Sequence, residues 1–265
     1  MMSSAQKFFT LYKAFFKASF VYELEYRMNF VLLVTAEFVW YFTQFVLFEV
    51  LYRHTPLIGD WDIHQMRVFI FLFLFVDSIY MILWDQNFVA FNDNVRKGGL
   101  DLLLMKPIDS LFMISSQKIS ISHIPTFFIT GGGVIWALSQ LPDFKWINLF
   151  WLLILIPSGL SVIFCFRFAI NATAILFTRA DFLQYLWYSV FKLGLRPDVI
   201  YPGVLRIILI FIIPFAMVAS IPARILMEPV TRPLLVWACV MPFLLFALLK
   251  VYWRFCLRHY TSASS

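Results

Sequence analysis

Apolar runs of about twenty residues recur along this chain, separated by short polar gaps. Runs of that length match a hydrocarbon core roughly 30 Å thick. They predict six membrane spans, at residues 29–51, 67–89, 111–138, 147–177, 203–220 and 233–254. The stretch before the first run follows a helical period instead. In residues 5–27, Lys7, Thr10, Lys13 and Lys17 share one face at 100° per residue, and Phe8, Leu11, Tyr12, Phe15 and Phe16 cover the opposite side. Lysines against an aromatic face suit a helix lying in the headgroup plane. The expected fold is therefore an all-α integral membrane protein, a single domain over residues 1–265, that opens with an amphipathic interfacial helix.

Within the runs, helix breakers predict irregularity. Pro125 and the glycine triplet 131–133 mark a kink in the third, and Pro157, Ser158 and Gly159 mark a bend in the fourth. Pro214 lies in the fifth. Residues 182–195 are too short for a comfortable crossing and carry Lys192, which places them at the interface. The gap at residues 91–110, FNDNVRKGGLDLLLMKPIDS, is dense in charge. Inside it Leu100, Leu103 and Leu104 fall at i, i+3 and i+4, giving a short helix one apolar face. Arg96, Lys97, Asp101 and Lys106 surround that face, Gly98 and Gly99 permit the turn into it, and Pro107 marks its end. A short amphipathic helix at the end of two spans can dock in a groove on a soluble partner and pass on its motion.

Composition narrows the class. Of 265 residues 62% are hydrophobic and only 14% charged, against about 25% charged in soluble domains, so this surface could not be kept in water. The net charge of +6 follows the ends of the runs rather than forming a nucleic-acid patch. Lys7, Lys13, Lys17, Arg27, Arg96, Lys97, Lys106, Arg179, Lys192, Arg196, Arg206, Lys250, Arg254 and Arg258 fall on one predicted side; Arg53, Arg67, Lys145, Arg224 and Arg232 fall on the other. The positive-inside bias then puts both termini and the 91–110 loop in the cytoplasm. Residues 1–27 show no compact apolar core followed by a small-residue cleavage site, so no signal peptide is expected.

The chemistry-bearing residues are few. Glu37, Asp77, Asp85, Lys118 and Arg167 lie inside the runs, where charge is costly and must face protein or a watery path. They either contact a cationic cargo or pair with one another across helices; the sequence leaves both open. His54, His64, His123 and His259 have no ligand spacing with the cysteines or carboxylates, so no metal is expected. The glycine triplet lacks the lysine and hydroxyl of a phosphate loop. No Ser/His/Asp or paired-carboxylate arrangement appears, so the chain does not read as an enzyme.

Two stretches carry a resemblance. GGLDLLLMKP, residues 98–107, resembles the loop signature of the ABC-2 type transporter permeases, in which a glycine, a Leu-Asp pair, a further leucine and a basic residue before proline follow the second span. FIIPFAMVASIPARIL, residues 211–226, is similar to the fifth span and outer turn of the same family. The resemblance implies a permease subunit whose 91–110 loop is the cytoplasmic coupling helix between spans 2 and 3. It also implies an ABC ATP-binding subunit as partner, a second permease subunit forming a homodimer or heterodimer, and contact with membrane lipid. ATP and Mg would sit on the partner, with no cofactor in this chain. The implied activity is export of a hydrophobic, amphiphilic or cationic compound across the cell (inner) membrane by alternating access. The other reading is an ion-coupled secondary transporter with Asp77 and Glu37 as proton sites, which usually requires inverted repeats that are not evident here.

Overall fold

The computed structural model describes residues 4–142, 144–177, 181–228 and 232–260. Its axis is a rod made of α3 (Ile63–Tyr80), a π turn (Met81–Asp85) and α4 (Gln86–Arg96). Local chemistry starts the rod. The Asp62 carboxylate accepts the Gln65 N–H at 2.8 Å, and the Gln65 side-chain oxygen accepts the Asp62 N–H at 3.0 Å. This reciprocal cap satisfies two amides that a helix start leaves free. The rod is 34 residues long, about 50 Å at 1.5 Å per residue, so it outreaches a bilayer core. Val68, Phe69, Leu72 and Phe73 on α3 are fully buried, because helices pack around it on several sides.

Five helical stretches among the described residues are long and apolar enough to cross a membrane: Arg27–Tyr52, Ile63–Arg96, Ile121–Ser139, Trp146–Ile175 and Arg232–Arg258. The first is α2, preceded by α1 (Ser4–Glu25). α5 (Gly99–Leu104) and α6 (Ser110–Ser116) lead to α7 (Ile124–Ser139). The glycine triplet lies in regular helix and sets how near α7 comes to α3. A Cβ on Gly131 would stand 3.2 Å from the Phe75 ring, and one on Gly133 would overlap the ring of Phe71. α8 (Leu152–Ala172) and α12 (Arg232–Arg258) pack together, joined where the Ser158 hydroxyl donates to the Ala238 carbonyl at 2.7 Å. α9 (Asp181–Gly194), α10 (Gly203–Ile207) and α11 (Ser220–Met227) lie between them in sequence.

The bundle has two ends. One carries the loop at 53–62 and buried Trp61, whose carbonyl accepts the Tyr52 hydroxyl at 2.9 Å. The other carries Lys97 and α5. Both described chain ends lie at the Lys97 end. Phe8 on α1 meets Phe112 on α6 at 4.8 Å, and the Trp253 indole on α12 donates to the Ser110 hydroxyl at 3.0 Å.

Three expected elements take a different form. The second run continues to Arg96, so residues 91–96 are helix rather than loop. The third divides: α6 stops at Ser116, residues 117–120 are not helical, and a 3-10 turn (Ile121–His123) leads into α7. Pro125 therefore begins a helix, where its missing N–H costs nothing, instead of kinking one. The third difference is largest. The apolar helix Gly203–Ile212 ends at Ile213 and Pro214, and the chain turns through Phe215–Met217 into α11.

The return towards the Trp61 end is made earlier, by α9 and residues 195–200. Gln184 near the start of α9 bonds to Arg167, while Val199 meets Gly59 in the 53–62 loop. A Cβ on Gly59 would come within 2.9 Å of Val199, and its φ of 61° suits only glycine. Asp198, 1% exposed, holds both Arg206 (2.8 Å) and Arg224 (2.8 Å). Hydropathy and charge bias place those arginines on opposite sides of the bilayer. A shared carboxylate puts them on one side, beside Trp61, whose ring Arg224 overlies at 6.0 Å.

Candidate functional site

Residues 97–109 form the exposed turn at the Lys97 end. Gly98 enters it with φ 74°, a left-handed conformation that a side chain resists. Gly99 follows so tightly that a Cβ there would stand 3.1 Å from the Asn94 side-chain oxygen. The turn closes at Asp109, whose carboxylate caps α6 by accepting the Phe112 N–H at 3.0 Å. Burial reverses the expected roles of the leucines. Leu100 (0% exposed) and Leu103 (8%) face α4 and α6 as part of the chain's own core, and Leu104 is half-buried. The apolar side chains left facing outward are Leu102 (63%) and Met105 (73%). Around them Arg96, Lys97, Lys106 and Pro107 are exposed, and Arg96 bonds to Asp93 at 2.8 Å. Asp101 lies beside Tyr260, and burial together with that carboxylate pushes the Tyr260 phenol above its usual pKa.

A second constellation lies inside the bundle. On α2, Glu37 accepts the Thr126 hydroxyl at 2.7 Å, and its Oε2 lies 2.6 Å from His123 Nδ1. Among the described residues Glu37 Oε1 has no hydrogen-bond partner, although the residue is 6% exposed. One turn along, the Tyr41 hydroxyl donates to Asp77 Oδ2 at 2.9 Å. Ser78 and Thr130 continue the polar line at 3.4 Å.

Across the rod, the Tyr80 hydroxyl donates to Asp85 at 3.0 Å. Arg167 on α8 is wholly buried, with Nη2 bonded to Gln184 at 2.7 Å, Asp85 3.9 Å away and the Trp187 ring at 5.2 Å. A guanidinium in such a place needs a carboxylate, hydrogen-bond acceptors and an aromatic face to offset lost hydration. Its Nε and Nη1 have no protein acceptor among the described residues.

The five charged residues singled out from the sequence thus separate. Glu37 and Asp77 share the α2–α3–α7 cluster, Asp85 and Arg167 share the other, and Lys118 joins neither. Lys118 sits in the break, its side chain exposed, and contributes its backbone. The Asn87 side chain accepts the Lys118 N–H at 2.8 Å and donates to its carbonyl at 2.7 Å. The Ser120 N–H reaches the Ile82 carbonyl at 2.9 Å. Glu23 of α1 accepts the amides of Ile121 (2.9 Å) and Ser122 (2.6 Å), and Ser19 accepts that of Ile119 at 3.0 Å.

Tyr41, His123, Thr126, Gln184 and Glu23 are partners of these residues and of the break that sequence reasoning misses. A signal existed for His123: a histidine inside an apolar run is itself an intramembrane ionisable group. For Tyr41 and Gln184 the sequence offers none, since their partners are 36 and 17 residues away.

Apolar rods long enough to cross a bilayer, with their charges turned inward against one another, define a multi-pass membrane protein. Over residues 38–264 the sequence matches the family described as ABC-2 family transporter protein. The chain belongs to that family, and so is a membrane component of ABC transport, of the permease type. No curated protein and no solved structure matches it.

Proposed function

We propose that the chain is the permease subunit of an exporter for a hydrophobic, amphiphilic or cationic compound, driven by a separate ABC ATP-binding subunit that docks on residues 97–109. The observation that carries this reading is the pair Leu102 and Met105, which face outward beside Lys97 and Lys106 on a turn pinned from behind by Leu100 and Leu103. Two exposed apolar side chains ringed by cations suit a groove on a soluble partner with an acidic rim.

ATP and Mg belong to that partner. The positive-inside bias puts the Lys97 end, with exposed Lys13, Lys17, Arg254 and Arg258, in the cytoplasm of a cell whose inner membrane holds the protein. Glu37, Asp77, Asp85 and Arg167 each contact neighbours buried within this chain, which favours cargo moving at the junction with a second permease subunit, identical or related, over a path through the middle of this one.

The test is co-expression with a candidate ATP-binding subunit, co-purification in lipid, and transport into inside-out vesicles. ATP-dependent uptake with both subunits present is expected. Uptake that needs a proton gradient but no ATP would instead establish the secondary-transporter reading.

A further inference from the structure

We propose that Asp77 carries a proton in the resting bundle and exchanges it along a buried polar track leading to the break at 117–120. Charge and geometry within this chain alone support that role, whichever energy source drives transport.

Asp77 is 4% exposed, and the partner it is given is a neutral hydroxyl, that of Tyr41 at 2.9 Å. The groups around it are Glu37 and Tyr41 from α2, Tyr80 at the end of α3, Asp85 from the π turn, and His123 at the start of α7. α8 contributes Arg167, and α9 presents Gln184 and Trp187 to that guanidinium. His123 stands against Glu37 at 2.6 Å, and Arg167 is directed to Asp85 at 3.9 Å. With His123 charged, each cation among these groups is matched to a carboxylate, and Asp77 is the one left over. A carboxylate buried with a neutral hydroxyl as its hydrogen-bond partner would be costly in hydrocarbon, which proteins avoid by neutralising the group.

A proton is the cation that fits. Among the described residues no group of three or more His, Cys, Asp or Glu side chains is placed to hold a metal ion. Protonation needs no other reactant: one H⁺ from water becomes the O–H of the Asp77 carboxyl, and the local negative charge falls by one. Glu37 lies in the same cluster, and among the described residues its Oε1 is buried with no hydrogen-bond partner. Polar groups line the way to the break: Thr126 and His123 flank Glu37, Ser78 meets Thr130 at 3.4 Å, and Ser122 meets Ser120 at 3.0 Å, next to exposed Lys118. Glu23 receives the Ser120 hydroxyl there at 3.4 Å.

Infrared difference spectroscopy on the purified chain in lipid tests this without any transport assay. At neutral pH the unmodified protein is expected to show the carbonyl stretch of a protonated carboxylic acid. That band should vanish in Asp77→Asn, remain in Glu37→Gln, and shift in frequency in Tyr41→Phe, which removes the hydrogen bond but not the acid. Carbon-13 labelling of aspartate carboxyls covers the case in which Asp77→Asn does not fold, since the band must then move with no substitution at all. Absence of the band at neutral pH, its survival in a folded Asp77→Asn protein, or its indifference to aspartate labelling would overturn the proposal.

Discussion

The double substitution Leu102→Asp with Met105→Asp separates docking from folding. Fully burying a leucine or methionine side chain is worth about 1.5–3 kcal/mol relative to leaving it in water. Leu102 and Met105 are 63% and 73% exposed, so a partner covering them can recover roughly two-thirds of that, about 1–2 kcal/mol each. Losing both costs about 2–4 kcal/mol, or roughly thirty- to several-hundred-fold in Kd at 1.4 kcal/mol per tenfold. Two carboxylates facing an acidic rim would add to the loss. The chain itself should be untouched, because neither side chain supports its core.

Leu103→Asp is the contrasting change. At 8% exposure its carboxylate would be buried beside Leu100 without a partner, and the expected outcome is failure to fold rather than failure to dock. The assay titrates a labelled ATP-binding subunit onto the permease in lipid discs, with melting followed in parallel. Unchanged affinity in Leu102→Asp/Met105→Asp at an unchanged melting temperature would refute the docking reasoning.

Two further outcomes bear on how the bundle is held. Glu23→Ala removes the acceptor for the Ile121 and Ser122 amides; charge-assisted hydrogen bonds are worth about 1.5–3 kcal/mol each, and part exposure of Glu23 trims the total to about 2–4 kcal/mol. Amide hydrogen exchange at residues 119–122 should accelerate, less so in Glu23→Gln, and exchange equal to the unmodified chain would show that α1 does not secure the break. Gly133→Ala should destabilise by about 1–3 kcal/mol through overlap with Phe71. Gly132→Ala, with nothing within 4 Å, should be neutral or better by up to about 1 kcal/mol. Equal melting temperatures for the two would contradict the close α3–α7 approach.

The membrane class and most of the apolar rods were legible because hydropathy over about twenty residues reports transfer into lipid directly. Sidedness of individual residues was not. Gly203–Ile212 is as apolar as a span but stops at Pro214, and hydropathy cannot distinguish a helix that crosses from one that turns back against α8. For α9, Lys192 and a 14-residue length argue for an interface and against crossing. In the fold the neighbouring helices cover Leu183, Trp187 and Phe191, while residues 195–200 supply the missing reach. On α5 the i, i+3, i+4 pattern correctly located an apolar face, but a six-residue helix has two neighbours of its own to satisfy. Periodicity says which residues share a face, and says nothing of whether self or partner covers it.

The two irregularities in the rods lie at one depth, and this matters for how a push at α5 travels. The π turn Met81–Asp85 interrupts the second rod, and the break at 117–120 interrupts the third. They are cross-bonded through the Ser120 amide and the Ile82 carbonyl at 2.9 Å. On the Lys97 side of that level, α4, α5 and α6 pack on one another through Leu100, Leu103 and Phe91. On the Trp61 side, α3 and α7 are locked by the glycine contacts. Had either rod run straight through, the two blocks would be one rigid body. A π turn places an extra residue within a helical turn and is a common site of functional adjustment, and a non-helical stretch can rotate without breaking a helical ladder. On the proposed docking, the α4–α5–α6 block would tilt about this level. Its bonds name the elements that would move with it: α1 is tied to the break by Glu23, the Ser120 hydroxyl is tied to α4 by Gln86 at 2.9 Å, and Asn171 of α8 and Trp253 of α12 bond to α4 and α6. His123, immediately beyond, presses on Glu37 of α2. On the proposed docking, motion at the exposed turn would thus reach α1 and α2, the least buried of the five apolar spans, before it disturbed the packed pair α3 and α7.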